Sequence, residues 1–218
     1  ESLGLDIEYV VEDEALGTGG GIRNVYDRLR GDTTMVFNGD VLGGTDLTGI
    51  LQAHEANDAD VTLHLVQVGN PRAFGCVPTD ATGRVLAFLE KTEDPPTNQI
   101  NAGCYVFRRE LIADIPAGRV VSVERETFPK LLEDGYAVYG YVDNAYWRDM
   151  GTPGDFVRGS SDLVRGIAPS PLLVGRTGES LVDESALVKD GTLLLGGTVI
   201  GRGTEVGAGC RLDDVVVF

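Results

Sequence analysis

The chain has 218 residues and carries 18 Lys plus Arg against 34 Asp plus Glu, a formal net charge of −16 that argues against nucleic acid or an anionic membrane surface as partner. No apolar run approaches the ~20 residues that span a bilayer and no signal-peptide pattern opens the chain. The three cysteines, Cys76, Cys104 and Cys210, form no CxxC pair, which points to a reducing cytoplasm. The length suits one sizeable α/β domain with a smaller module, and the start on Glu1 rather than Met reads as a processed or partial chain.

In chain order, Leu5, Ile7, Tyr9 and Val11 alternate with Asp6, Glu8 and Val10, the pattern of a strand with one buried face. The glycine cluster from Leu16 to Gly21 follows, then Ile22, Val25, Tyr26 and Leu29 at helical spacing. Strand, glycine turn and helix start suit an anion or nucleotide cradle, because the first N–H groups of a helix point outward. The cluster matches neither G-x-G-x-x-G nor the P-loop, and a tight turn is the alternative reading.

Thr34–Phe37 reads as a strand buried on both faces that ends abruptly in Asn38, Gly39 and Asp40. Open α/β sheets bind ligands beyond the carboxyl ends of their parallel strands, so Asp40 is a candidate to hold magnesium. That ion takes one or two protein carboxylates and shares the rest of its shell with water and substrate phosphate. A carboxylate that merely caps the turn before Leu42 is the alternative.

A helical pattern over Leu47–Asn57 and a strand over Val61–Val66 repeat the order, which predicts right-handed crossovers and a largely parallel sheet. His54 is expected on a solvated helix and His64 inside a strand, both structural, which removes most histidine-based acid–base mechanisms. Arg84–Lys91 is expected as a strand ending on Glu90 and Lys91 before the breaker at Pro95 and Pro96. Another apolar run, Cys104–Phe107, follows Asn101, Ala102 and Gly103. At these strand ends Lys91 suits a phosphate and Glu90 hydroxyls; a lone surface cation is the alternative for Lys91.

Ser122–Gly135 opens on a capping serine, kinks or restarts at Pro129 and stops at Gly135, after which Tyr136–Val142 is a strand. Thr152 is the expected N-cap, Pro153 the first residue and Asp155 the first-turn charge of a helix reaching Val164. Asp149, in a tight connection beside Trp147, is a second candidate metal carboxylate.

From Gly166 the composition becomes that of a linker. Beyond it Val182, Val188, Leu194, Ile200, Val206, Leu212 and Phe218 recur every six residues, and the positions two before them are mostly small. That period is the signature of a parallel β-helix of hexapeptides. The expected division is therefore a domain over 1–165, a linker over 166–178 and a β-helix over 179–218. The last coil ends on Phe218 without a polar capping turn, which predicts self-association.

The stretches LGTGGG, FNGDVL, FLEKTED, NAGCYVF, SVERETFP and YWRDMGTP, in this order and followed by hexapeptides, resemble the sugar-1-phosphate nucleotidyltransferases, most closely the bacterial mannose-1-phosphate guanylyltransferases. The resemblance covers nearly all 218 residues, and its specificity lies in the order of the motifs rather than in any one. It implies a Rossmann-like, mostly parallel α/β sheet domain followed by a left-handed parallel β-helix. It implies transfer of a nucleotidyl group from GTP to mannose 1-phosphate, giving GDP-mannose and pyrophosphate by in-line attack without a covalent enzyme intermediate. On this resemblance Asp40, Lys91 and Asp149 are catalytic, Asp40 and Asp149 as Mg2+ ligands and Lys91 on the sugar phosphate. Glu90, Asn101 and Gly103 are implied on the sugar. Leu16, Gly17, Thr18, Gly19 and Gly20, with Asn38 and Gly39, are implied on the nucleotide, and a homo-oligomer is implied through the β-helix.

The family's opening strand and G-G-x-G-[ST]-R-L loop, with its nearby lysine between prolines, have no counterpart in this sequence. These 218 residues alone are therefore expected to lack a phosphate clamp and not to bind GTP tightly. Two other readings compete. A nucleotide-sugar-binding regulator without catalysis has no need of Asp40, Lys91 and Asp149 together, and a hexapeptide acyltransferase ordinarily relies on a β-helix histidine, whereas none lies beyond His64.

Overall fold

The structure is a computed structural model and describes residues 4–89 and 91–218. In chain order the elements are α1 Gly17–Asn24, β1 Thr33–Phe37, β2 Val41–Gly43, α2 Leu47–Ala56, β3 Val61–Gln67, β4 Gln99–Arg108, α3 Glu110–Ala113, α4 Phe128–Glu133, β5 Val138–Asp143, β6 Trp147–Asp149 and α5 Pro153–Val164. Short strands follow: β7 Ser180–Val182, β8 Leu187–Val188, β9 Leu193–Leu195, β10 Thr198–Ile200, β11 Glu205–Val206, β12 Arg211–Asp213 and β13 Val216–Val217. These elements form two compact units, one of Glu1–Phe37 with Leu47–Asp143, the other of Asn38–Asp46 with Asn144–Phe218.

The first unit is built on a mixed sheet in the order β1-β4-β3-β5. β4 runs antiparallel to both β1 and β3, and β5 runs parallel to β3, so three of the four strands point the same way with β4 inserted against them. The sequence VTLHLV makes β3 a central strand, because a continuous apolar and β-branched run can be buried on both faces; Val61 to Val66 are all buried. Tyr105 and Phe107 of β4 meet Phe128 of α4 at ring distances of 5.0 and 5.8 Å, and Phe88 stacks on Phe128 at 5.0 Å. Each such ring contributes about 1.5–3 kcal/mol when taken fully out of water.

Several sequence expectations are corrected here. Leu5–Val11 alternates as predicted but forms no strand. No described strand pairs with it, and Leu5, Tyr9 and Val11 are 67%, 84% and 86% exposed. β1 is the edge of the described sheet and only half-buried, since β4 alone pairs with it, rather than a strand covered on both faces. Within the expected strand over 84–91, the described residues give single bridges, Arg84 with Tyr139, Val85 with Thr79 and Leu89 with Cys76, in place of a continuous strand. The cause is the Asp80 turn, whose carboxylate accepts the N–H groups of Thr82 and Arg84 and folds the chain back on itself. His54 is buried, not solvated, because α2 turns that face inward and its Nδ1 meets the Thr62 hydroxyl at 3.0 Å. The expected restart at Pro129 is present. Ser122 caps a π-helical turn over Val123–Thr127 by accepting the Arg125 N–H, and α4 begins again with Pro129 in its first turn.

In the second unit β2 and β6 form a short antiparallel ladder that the sequence reading did not separate from the adjoining turns. Thr152 caps α5, accepting the Asp155 N–H at 3.1 Å, with Pro153 as the first helical residue. The C-terminal strands pair in parallel on three ladders, β13-β10-β7, β11-β8 and β12-β9. Apart from β13, which stacks on β10 at a step of 17, with Val217 rather than Phe218 opposite Ile200 and Phe218 left exposed, the step is 18 residues: Thr198 lies opposite Ser180, Glu205 opposite Leu187 and Arg211 opposite Leu193, and Gly203 bonds Ser185. Three hexapeptides per turn of chain require this step. The expected linker is tied down by the bond from the Gly178 N–H to the Val164 carbonyl. No described helix is long and apolar enough to cross a membrane.

Candidate functional site

The predicted residues divide between the units. Leu16 to Gly20, Lys91, Asn101 and Gly103 belong to the first, Asn38, Gly39, Asp40 and Asp149 to the second, and Glu90 lies outside the described residues. Lys91 is exposed in an irregular segment before β4.

In the second unit the two candidate carboxylates, far apart in sequence, flank one ladder. Val41 of β2 pairs with Asp149 of β6, and the Asp40 carbonyl accepts the Met150 N–H at 2.8 Å. Both residues are exposed, and the Asp149 carboxylate accepts the Gly151 N–H at 2.9 Å, which fixes its rotamer while leaving lone pairs open. The two residues stand diagonally across the end of this ladder, and carboxylates are the hard oxygen donors that a small divalent cation takes while completing its shell from water and substrate. Among the described residues no group of three or more His, Cys, Asp or Glu side chains is placed to enclose a metal by itself.

Arg148, next to Asp149 in β6 and opposite Leu42, is committed elsewhere. Its guanidinium donates to Asp162 at 3.1 Å and to the Tyr146 hydroxyl at 3.0 Å, and it pairs with Asp155 at 3.6 Å. The bond to Tyr146 raises its pKa further above the usual range. Tyr146 in turn donates to Asp162 at 2.6 Å, and burial followed by that bond raises the phenol's pKa. This cluster locks β6 onto α5, and its signal in the sequence was only the order Tyr146, Arg148, Asp162.

In the first unit Asn101 and Gly103 lie inside β4, not before it, at a bulge. Leu63 pairs with Tyr105 and Leu65 with Asn101, so β4 spends two extra residues against His64. Gly103 takes the left-handed conformation this requires, with φ +77°, and its N–H donates to Asn101 Oδ1 at 3.1 Å. His64 beneath is buried with Nε2 2.9 Å from Asp143, and burial pushes the neighbouring Cys104 thiol up to about 11, so it stays protonated.

Leu16 to Gly20 form the start of a helix instead of a turn preceding one, since α1 begins at Gly17. A Cβ at Gly17 would stand 2.7 Å from the Val121 carbonyl oxygen, and one at Gly20 the same distance from that of Arg119. The same carbonyl of Val121 accepts the Gly19 N–H at 2.8 Å. The glycines therefore let α1 lie directly on the 119–121 segment, a packing role that the sequence left undistinguished from nucleotide contact.

The sequence model of the nucleotidyl transferase family matches residues 1–166. A mannose-1-phosphate guanylyltransferase of Mycobacterium tuberculosis is 68% identical over all 218 residues, which span 61% of that protein. Mannose-1-phosphate guanylyltransferase 1 of Arabidopsis thaliana is 33% identical over 186 residues, 81% of this chain and 51% of the plant protein. Among solved structures, HddC from Yersinia pseudotuberculosis matches with a TM-score of 0.64 and 27% identity over 72% of this chain and 67% of its own. The same protein complexed with GMP-PN matches with a TM-score of 0.62 and 27% identity, over 71% of this chain and 65% of its own.

Proposed function

This chain belongs to the nucleotidyl transferase family, and from that membership we propose that the protein transfers a guanylyl group from GTP to mannose 1-phosphate. A phosphate oxygen of the sugar attacks the α-phosphorus of GTP in line; the new P–O bond forms as the bond to the β-phosphate oxygen breaks, and pyrophosphate leaves. The 68% identity to the mycobacterial enzyme over the whole of this chain supports the choice of base and sugar. The observation that supports the chemistry is that Asp40 and Asp149, far apart in sequence, meet at the end of one ladder, where Asp40 precedes Val41, the partner of Asp149.

On this reading Asp40 and Asp149 hold a divalent cation, magnesium by its preference for a few carboxylates with phosphate and water. When bound, that ion neutralises charge on the transferring phosphate. Lys91 and Glu90 serve the sugar phosphate and hydroxyls, Asn101 and Gly103 line the sugar pocket, and Leu16 to Gly20 with Asn38 and Gly39 face the nucleotide. Catalysis is then positioning plus charge stabilisation. We further place residues 179–218 in a closed left-handed β-helix through which copies associate, and the protein in a reducing cytoplasm, a reading that the free thiols Cys76, Cys104 and Cys210 support. The test is pyrophosphate release by the intact protein across a panel of nucleoside triphosphates and hexose 1-phosphates with magnesium. GTP with mannose 1-phosphate is expected to be the preferred pair. A different preferred pair reassigns the substrate, and no release from any pair overturns the reading.

A further inference from the structure

Glu124, within the SVERETFP stretch, joins two parts of the first unit that the sequence left unrelated. Its Oε1 accepts the Tyr105 hydroxyl at 3.1 Å, and its Oε2 accepts the hydroxyls of Thr18 and Ser122, each at 3.3 Å. The line continues at both ends. The Tyr105 oxygen accepts from Asn101 Nδ2 at 2.8 Å, and the Thr18 oxygen accepts the Val123 N–H at 2.9 Å. A carboxylate can only accept, so every proton along this line has one direction. Tyr105 is completely buried, and burial followed by the Glu124 charge raises its pKa, so the phenol stays protonated and its single proton goes to Glu124. Its oxygen is then left to accept, which requires the N–H side of Asn101; the Asn101 carbonyl is thereby turned toward the Gly103 N–H.

We propose that Glu124 is a positioning residue of the transfer reaction: through Tyr105 it sets which way the Asn101 amide faces at the bulge, and through Thr18 it holds the first turn of α1. The idea rests on the reading that the Asn101 bulge serves the sugar and the Gly17–Gly20 turn the nucleotide. After its two internal bonds Asn101 keeps one N–H and one lone pair, in fixed places, for a hydroxyl donor and acceptor. A reversed amide exchanges them, which is a means of telling one hydroxyl configuration from another.

Two backbone amides report the two ends directly, Gly103 through Asn101 and Val123 through Thr18. Hydrogen exchange on the intact protein without ligand is compared for wild type, Glu124→Gln, Tyr105→Phe and Thr18→Val, all close in shape to the original side chains. Tyr105→Phe is expected to speed exchange at Gly103 alone and Thr18→Val at Val123 alone, by about tenfold each. Glu124→Gln supplies a donor where only acceptors fit and is expected to speed both. Unchanged exchange at Gly103 in Glu124→Gln overturns the proposal. Steady-state kinetics then separate the two readings: Tyr105→Phe is expected to raise KM for mannose 1-phosphate about tenfold with KM for GTP unchanged, and Thr18→Val the reverse. KM values that move together in all three variants mark a merely structural role and overturn the positioning. If wild type releases no pyrophosphate, the proposed function fails, and exchange still decides whether Glu124 joins the two ends.

Discussion

The backbone carbonyl of Asp40 accepts the backbone N–H of Met150 at 2.8 Å, so the position of the first candidate carboxylate is fixed by main chain rather than by its own side chain. Asp40→Asn leaves that rung intact, and Asp149→Asn keeps an oxygen for the Gly151 N–H. Each substitution is expected to lower magnesium-dependent pyrophosphate release by at least about a hundredfold, the scale of losing a charge-stabilising group, with the thermal unfolding midpoint nearly unchanged. Near-normal turnover in either variant would remove that residue from the metal site.

Two glycines of the implied nucleotide site differ in what surrounds them. Gly17→Ala places a Cβ 2.7 Å from the Val121 oxygen at φ +70°, whereas a Cβ at Gly39 meets nothing within 4 Å. The first change is expected to destabilise by about 3 kcal/mol, combining a left-handed backbone penalty with overpacking. Gly39→Ala is expected within about 0.5 kcal/mol of wild type, so a loss of GTP affinity there reports a contact with ligand. Urea unfolding and calorimetric titration separate the two effects.

Arg148→Met strips Asp162 of its guanidinium and leaves it the neutral Tyr146 hydroxyl as donor. Since both partners are largely buried, with side-chain exposures of 29% and 18%, a loss of about 2 kcal/mol is expected in urea unfolding. An unaltered midpoint would show that β6 is held to α5 by packing alone.

Burial, and then the charge of Arg108, lower the pKa of His54 below 6.5, against the weaker opposing pull of Glu55, Asp60 and Asp58. A depressed folded pKa means that the unfolded chain takes up the proton more readily. The stabilising contribution is therefore complete above 6.5 and is lost as pH falls from there through the lower folded value. Wild type is expected to lose stability between about pH 7 and pH 5, and His54→Gln, which keeps a polar partner for Thr62, to lose less over that interval. Parallel curves for the two proteins would assign the acid sensitivity elsewhere.

Much of this was legible because it is local. Thr152, Pro153 and Asp155 specify a helix start within four residues, and the apolar period of six specifies parallel stacking at a step of 18 as far as β12, though not at Phe218, where Val217 stacks on Ile200 instead. His54 and Leu5–Val11 were misread for a shared reason. Exposure depends on what another segment brings: Thr62 faces His54, while no described strand pairs beside Leu5. Glu124 was visible as a helix residue, but its link to Asn101 runs through Tyr105, a strand residue whose hydroxyl direction no periodicity encodes.

The step of 18 residues in the ladders from β7 to β12 restricts how this segment changes length. Each hexapeptide carries the chain from one ladder to the next, and Val199 stacks on Leu181 because one whole circuit of 18 residues separates them. A deletion or insertion of one hexapeptide moves every later strand onto a neighbouring face and sets Thr198, now fully buried, against a different partner. Length variants of this segment should therefore be quantised, tolerated in steps of 18 residues and selected against at 6 or 12.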